Sequence, residues 1–185
     1  MSCKRSRALP LIGLLVDGYQ YFGWNDGDGA LSGVGSGYNS SLTNVAAQLS
    51  GYNAKFALSY QMVSGDSYVV AWDGGTNDET GFSTWNSVQR LDFERGGEQS
   101  WQARFDYNLV KFVEGLSFMT RYTNGSNISN AGAADGSEWE RDIELKYSPP
   151  MIENLSFRWR NAYVKSSQTY QSDENRFIVN YTLAY

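Results

Sequence analysis

The 185-residue chain contains no histidine, one cysteine and three prolines. Without imidazole it can build neither a histidine-ligated metal site nor a histidine general base. Cys3 stands alone, which excludes an intramolecular disulfide. Fifteen Lys and Arg against twenty Asp and Glu leave a net charge of −5, so the basic footprint of a nucleic-acid binder is missing and no nucleic-acid partner is expected. Gly-rich phosphate loops, Walker motifs and nucleophile elbows are absent too, and no cofactor, metal or catalytic residue is expected. Long apolar runs are also lacking: no window reaches the roughly 18 residues of a transmembrane helix. A transmembrane β-barrel stays open, because alternating strands average to a polar mean hydropathy, here −0.48.

What is plentiful is aromatic: 13 Tyr, 9 Phe and 6 Trp. They recur with a period of two. Trp101, Ala103, Phe105 and Tyr107 share one face, against Gln102, Arg104 and Asp106. The same alternation sets Phe56, Leu58, Tyr60 and Met62 against Ala57, Ser59 and Gln61, and Leu116, Phe118 and Tyr122 against Ser117, Met119 and Arg121. Ile143, Leu145 and Tyr147 oppose Asp142, Glu144 and Lys146, and Leu155, Phe157, Trp159 and Tyr163 oppose Ser156, Arg158 and Arg160. The last segment puts Phe177, Val179, Tyr181, Leu183 and Tyr185 on one face. Helical spacing would mix Arg with Phe, so these are strands with one apolar face. Two weaker strands, about 14–24 and 40–50, bring the set to eight antiparallel strands with no helix and no internal linker.

The connections alternate in length. Long ones, rich in Gly, Ser, Asn and Asp, cover about 25–38, 64–98, 125–136 and 167–174, and short ones lie at 51–53, 109–115 and 148–154. A meander threaded through a membrane produces this alternation, with tight turns on one side and longer loops on the other. The strands have crossing length, the rings sit where interfacial girdles form, and the chain ends on an aromatic after alternating apolar residues. That ending resembles the sorting pattern read by the barrel assembly machinery. Residues 1–16, where Lys4, Arg5 and Arg7 precede a short apolar run, have the outline of a secretory signal but also fit an arbitrary start, and stay unassigned; barrel strands are expected over 17–185. Two other architectures fit the pattern: a complete eight-stranded outer-membrane barrel with a structural or adhesive role, and a soluble sandwich that stacks sugars on its rings. An enzyme fits worst, since Asp142 and Glu144, two apart on one strand, do not straddle a substrate.

The segments LSYQMVSGD, SWQARFDYNL, GLSFMTRYTNGSNI, GSEWERDIELKY, LSFRWRNAYV and DENRFIVNYTLAY, in that order and spacing, resemble the C-terminal part of OprD-type outer-membrane porins. The resemblance implies an all-β, antiparallel transmembrane β-barrel meander of about eight strands, the C-terminal part of a barrel of about 18. It implies a bacterial outer-membrane location, contact with membrane lipid, a homotrimer when full-length, and passive, selective uptake of small carboxylate-bearing nutrients such as amino acids. It also implies a ladder of basic side chains along the pore. Arg158 and Arg160 match the ladder best, Arg176 matches the final-strand arginine, and Arg104, Arg121 and Lys146 follow by strand parity. The physical logic is general: an arginine fork fits a carboxylate, and several in series pass an anion along without holding it. The alternative for each cation is a pairing with Asp106, Asp142 or Glu144 that merely hydrates a lumen. The family's constricting loop and the acids facing the ladder are expected to lie mostly outside this chain.

Overall fold

The structure, a computed structural model, describes residues 13–26, 38–67, 84–129, 135–167 and 171–183, with side chains from Asn39 onward. The basic N-terminal stretch, the rings of the first strand and Tyr185 lie outside the described residues. Eight strands follow one another: β1 (Gly13–Asp26), β2 (Tyr38–Gly51), β3 (Ala54–Gly65), β4 (Gln99–Asn108), β5 (Leu116–Ile128), β6 (Gly136–Tyr147), β7 (Leu155–Ser166) and β8 (Ser172–Tyr181). Each pairs antiparallel with the next in a single meander sheet. No helix occurs among the described residues.

Among the described residues β1 pairs only with β2 and β8 only with β7, so the sheet is an open wall with two free edges. The small closed eight-stranded ring is therefore not the arrangement adopted. Strand lengths of 10 to 14 residues exceed or match the crossing length of a tilted strand, roughly 9–11 residues.

The short connections are tight for local reasons. Tyr52 (φ 52°) and Asn53 (φ 67°) both adopt left-handed backbone, the signature of a two-residue type I′ hairpin, whose twist matches the flanking strands. Gly115 closes the 109–115 turn at φ +81°, where a Cβ would run into the Ser148 carbonyl, so only glycine fits there.

Side chains divide by parity into an apolar outer face and a polar inner face. Leu58, Tyr60, Trp101, Phe105, Phe157 and Phe177 are exposed on the outer face. On the inner face Asn44, Gln61, Ser100, Thr123, Glu140 and Asp142 are fully buried. This inverts the soluble sandwich, whose apolar face would be the covered one, and it is the arrangement that suits lipid outside and polar groups within. Toward the long-loop end the outer rings touch in a continuous row: Trp101 to Tyr122 at 5.5 Å, Tyr122 to Trp139 at 5.6 Å, and Trp139 to Tyr163 at 5.4 Å between centroids. Amphipathic rings collect in this way at a membrane interface.

Candidate lumen-facing site

Strand register sorts the inner wall into rows. Nearest the short turns, Lys146 lies directly opposite Arg158. The next row holds Lys55, Asp106, Glu144, Arg160 and Arg176, with Arg160 directly opposite Arg176. The row above holds Arg104 opposite Arg121, then Asp142 and Glu174. Beyond it, among the described residues, the charged side chains that the strands turn inward are acids, Glu140 and Glu138, with Glu98 just before β4. The wall is thus polarised, with cations toward the short turns and carboxyl groups toward the long loops.

Three cation pairs stand directly across neighbouring strands, an arrangement that costs stability unless it is compensated or used. Compensation is partial. Arg160 donates to Glu144 at 2.6 Å and Arg158 lies 3.5 Å from the same carboxylate. Arg121 binds Asp142 at 2.6 Å, and Arg104 forms two bonds of 2.8 Å to Asp106. Arg176 pairs with Glu174, which also meets Arg90 at 3.0 Å. Lys146 makes no ion pair among the described residues. All six cations named from the sequence share the inner wall; Arg121, Arg158 and Arg160 pair across strands with Asp142 or Glu144, Arg104 pairs with Asp106 along its own strand, and the partner of Arg176 is Glu174 instead.

Lys55 joins them. It precedes Phe56 on β3 and so shares the face of Ala57 and Ser59; strand parity alone could have assigned it. Lys55, Ser59, Trp85, Ser87, Arg104, Asp106, Arg121 and Glu144 line a cavity of about 530 Å³ against the wall.

The segment 84–98, expected to be an external loop, instead folds back against the inner wall. Glu140 gathers it: one carboxyl oxygen accepts the amides of Gln89 and Arg90, each at 3.1 Å, and the other accepts Leu91 at 2.9 Å. Gln61 donates to the carbonyls of Asp92 (3.2 Å) and Phe93 (2.7 Å). Asn86 bridges Ser59 and Ser100, accepting from one and donating to the other. Leu91 and Phe93 bury against Val164, so the apolar core of the described fold lies between wall and loop. Arg121 also donates to the Ser87 carbonyl at 3.2 Å, tying an inner-wall arginine to the segment. Part of the long connection between β3 and β4 therefore lies against the inner wall, held there by an acid of that wall.

The segment's far end is a dry acidic corner. Glu98 is 0% exposed; one carboxyl oxygen accepts the Arg95 amide at 3.1 Å and the other has no partner. It rests over Gly125, where a Cβ would overlap the carboxyl group and press on Phe93. Glu138, 2% exposed, takes Arg95 at 3.3 Å and Ser166 at 2.8 Å. Burial, reinforced by the neighbouring Glu138 charge, pushes the Glu98 carboxyl up to about 8. Burial and then the Asp92 charge push Glu94 up to about 7.

Similarity to known proteins agrees with this geometry. A family model described as "outer membrane porin, OprD family" matches residues 13–185. Porin D of Pseudomonas aeruginosa is 39% identical over 153 residues, which is 70% of this chain and 34% of that protein. The porin-like protein GalP of Pseudomonas putida is 34% identical over 172 residues, covering 89% of this chain and 38% of its own length. Among solved structures, Pseudomonas aeruginosa OccK10 (OpdN) superposes with a TM-score of 0.78 at 31% identity, covering 95% of this chain and 52% of that one. Pseudomonas aeruginosa OccK5 (OpdH) gives 0.74 at 33% identity, covering 93% and 48%. The chain spans just over a third of the length of the curated relatives it matches.

Proposed function

Since this chain belongs to the OprD family of bacterial outer-membrane porins, we propose that it contributes the basic wall of a pore for passive, selective uptake of small carboxylate-bearing solutes such as amino acids. The observation that carries this reading is the set of directly opposed cations, Lys146 with Arg158, Arg160 with Arg176, and Arg104 with Arg121. A wall that only needed hydration would alternate signs across its strands. Stacked cations of one sign instead leave donors in excess of the local carboxylates, and a solute carboxylate relieves the repulsion as it passes. The five arginines already engage carboxylates, so no single contact holds the solute too long. The low-dielectric wall concentrates the field of these charges into the lumen.

The inward segment 84–98 narrows the path beside this wall, with Trp85 and Ser87 bordering the cavity that Lys55, Arg104 and Arg121 share. The free edges of β1 and β8 require partner strands in lipid, because unpaired backbone groups are too costly there. In the proposed assembly further strands close the barrel. The barrel assembly machinery reads the last strand, and full-length copies gather as a homotrimer.

The test is uptake into proteoliposomes of matched solutes with and without a carboxylate. Replacing Arg158, Arg160 and Arg176 with Gln is expected to slow the carboxylate solute selectively. Equal slowing of both solutes, or of neither, overturns the proposal.

A further inference from the structure

The outer face of β4–β8 carries a charge arrangement that the solute path does not use. Arg141 and Lys165 point outward and are exposed, while the acids of β6 all face the lumen. Register places Arg141 opposite Tyr163 and Trp139 opposite Lys165, so the two cations are diagonal neighbours on adjacent strands. Neither makes an ion pair among the described residues. Arg141 donates to Asn161 Oδ1 at 2.6 Å and lies with its guanidinium carbon 5.8 Å from the Tyr163 ring centre. Asp173, opposite Tyr163 on β8, is the carboxylate facing the same way, and it already accepts Asn161 at 2.7 Å. The patch keeps an excess of positive charge, two cations against the one carboxylate of Asp173, on a face it shares with aromatic rings and the Asn161 amide.

Its height on the barrel is fixed by the rings. From Tyr147 at the short-turn end to Trp139, a tilted strand climbs roughly 20 Å, close to the apolar band of an outer-membrane barrel. Trp139 and Tyr163 belong to the continuous ring row at the long-loop end, so Lys165, opposite Trp139, stands at the interface; Arg141 lies two residues lower, opposite Tyr163, with its guanidinium held between that ring and Asn161. A cation on this wall is tolerable at that depth and expensive below it. Long loops mark the external side, so the patch faces the outer leaflet.

We propose that Arg141 and Lys165, framed by Trp139 and Tyr163, seat a phosphate group of an outer-leaflet lipid against the barrel wall. The guanidinium supplies a fork, the ammonium a point charge. Tyr163 accepts a hydrogen bond from Gln171 at 2.6 Å, which leaves its own hydroxyl proton to donate. Directly below, Ile143, Leu145 and Phe157 offer a surface for the acyl chains.

Native mass spectrometry of the purified protein, exchanged into micelles doped with phosphorylated or dephosphorylated lipid A, tests this. Phosphorylated lipid A is expected to stay bound and the dephosphorylated form to leave. The R141Q/K165Q variant, checked for heat-modifiable gel mobility, should lose about thirty-fold in retention, the effect of about two surface cations on an anionic headgroup. Equal retention of the two lipids by the unaltered protein overturns the proposal without any variant. So does undiminished binding by the double variant, or displacement by millimolar inorganic phosphate, which would mark a free-anion site. The solute path is not part of the readout, so this result is independent of the pore.

Discussion

Removing the Glu140 side chain tests whether the inward segment is held by the wall or merely lies against it. Glu140 is 0% exposed and accepts three backbone amides, those of Gln89, Arg90 and Leu91, at 2.9–3.1 Å. Alanine there leaves three donors facing an empty pocket. Each buried donor left unpaired costs about 1–3 kcal/mol, but the segment can lift toward water and recover part of that. A net loss of about 3 kcal/mol, roughly a hundredfold in the docked population, is the expectation for E140A. Gln keeps one acceptor oxygen and turns an amide toward the third donor, so E140Q should fall between alanine and the parent. The assay is limited proteolysis after Arg90 and Arg95 in reconstituted protein, read beside single-channel conductance. Faster cleavage and a larger, noisier current are expected together. Unchanged cleavage with E140A would refute the anchoring argument, because the remaining ties through Gln61 and Asn86 would then suffice alone.

The other predictions use the same wall. A protonated Glu98 suits its dry corner, and its folded-state value of about 8 lies above the ordinary 4.5. Its contribution to docking is therefore complete below about pH 4.5 and is lost as pH rises from there through about 8; cleavage of the segment should accelerate over that interval and level off above it, and E98Q should flatten that dependence. G125A forces a methyl into the Glu98 carboxyl and the Phe93 ring, and a destabilisation of about 1–3 kcal/mol should appear as a lower thermal transition of the reconstituted protein. K55Q, at the cavity margin, should reduce carboxylate uptake by several-fold while sparing a neutral solute, and equal effects on both would remove Lys55 from the path.

Much of this architecture was legible from alternation alone. One face of Trp101–Tyr107 is apolar and the other charged, and a pleated strand has no other way to arrange them. The strand bounds follow because Gly, Asn and Asp mark the connections, and the tight turn at Tyr52–Asn53 fell where two runs of alternation almost touch. Lys55 was equally legible by parity and went unassigned only because the strand was read from Phe56 onward.

Two features were beyond any local pattern. Register decides whether Arg160 meets a carboxylate or Arg176, and a shift of two residues would preserve every face while dissolving the opposed cations. The inward segment hides for a different reason. Its residues have the composition of an external loop, and what holds it comes from far along the chain: its amides reach a carboxylate about fifty positions away, and Asn86, Phe93 and Arg95 find partners on strands that are distant in sequence. The connection is visible only from the other end. Glu138, Glu140, Asp142 and Glu144 put four carboxyl groups on one face of one strand, more negative charge than the neighbouring arginines at the same height can absorb. Something must bring donors to the upper two, and Arg95 with the amides of 89–91 does so. The lower two are left to hold the arginines in place. Thus the acids of β6 separate the wall into a half that grips the loop and a half that presents cations to the lumen, and a charge swap at Glu140 should disturb the first while leaving the second's ion pairs at Glu144 intact.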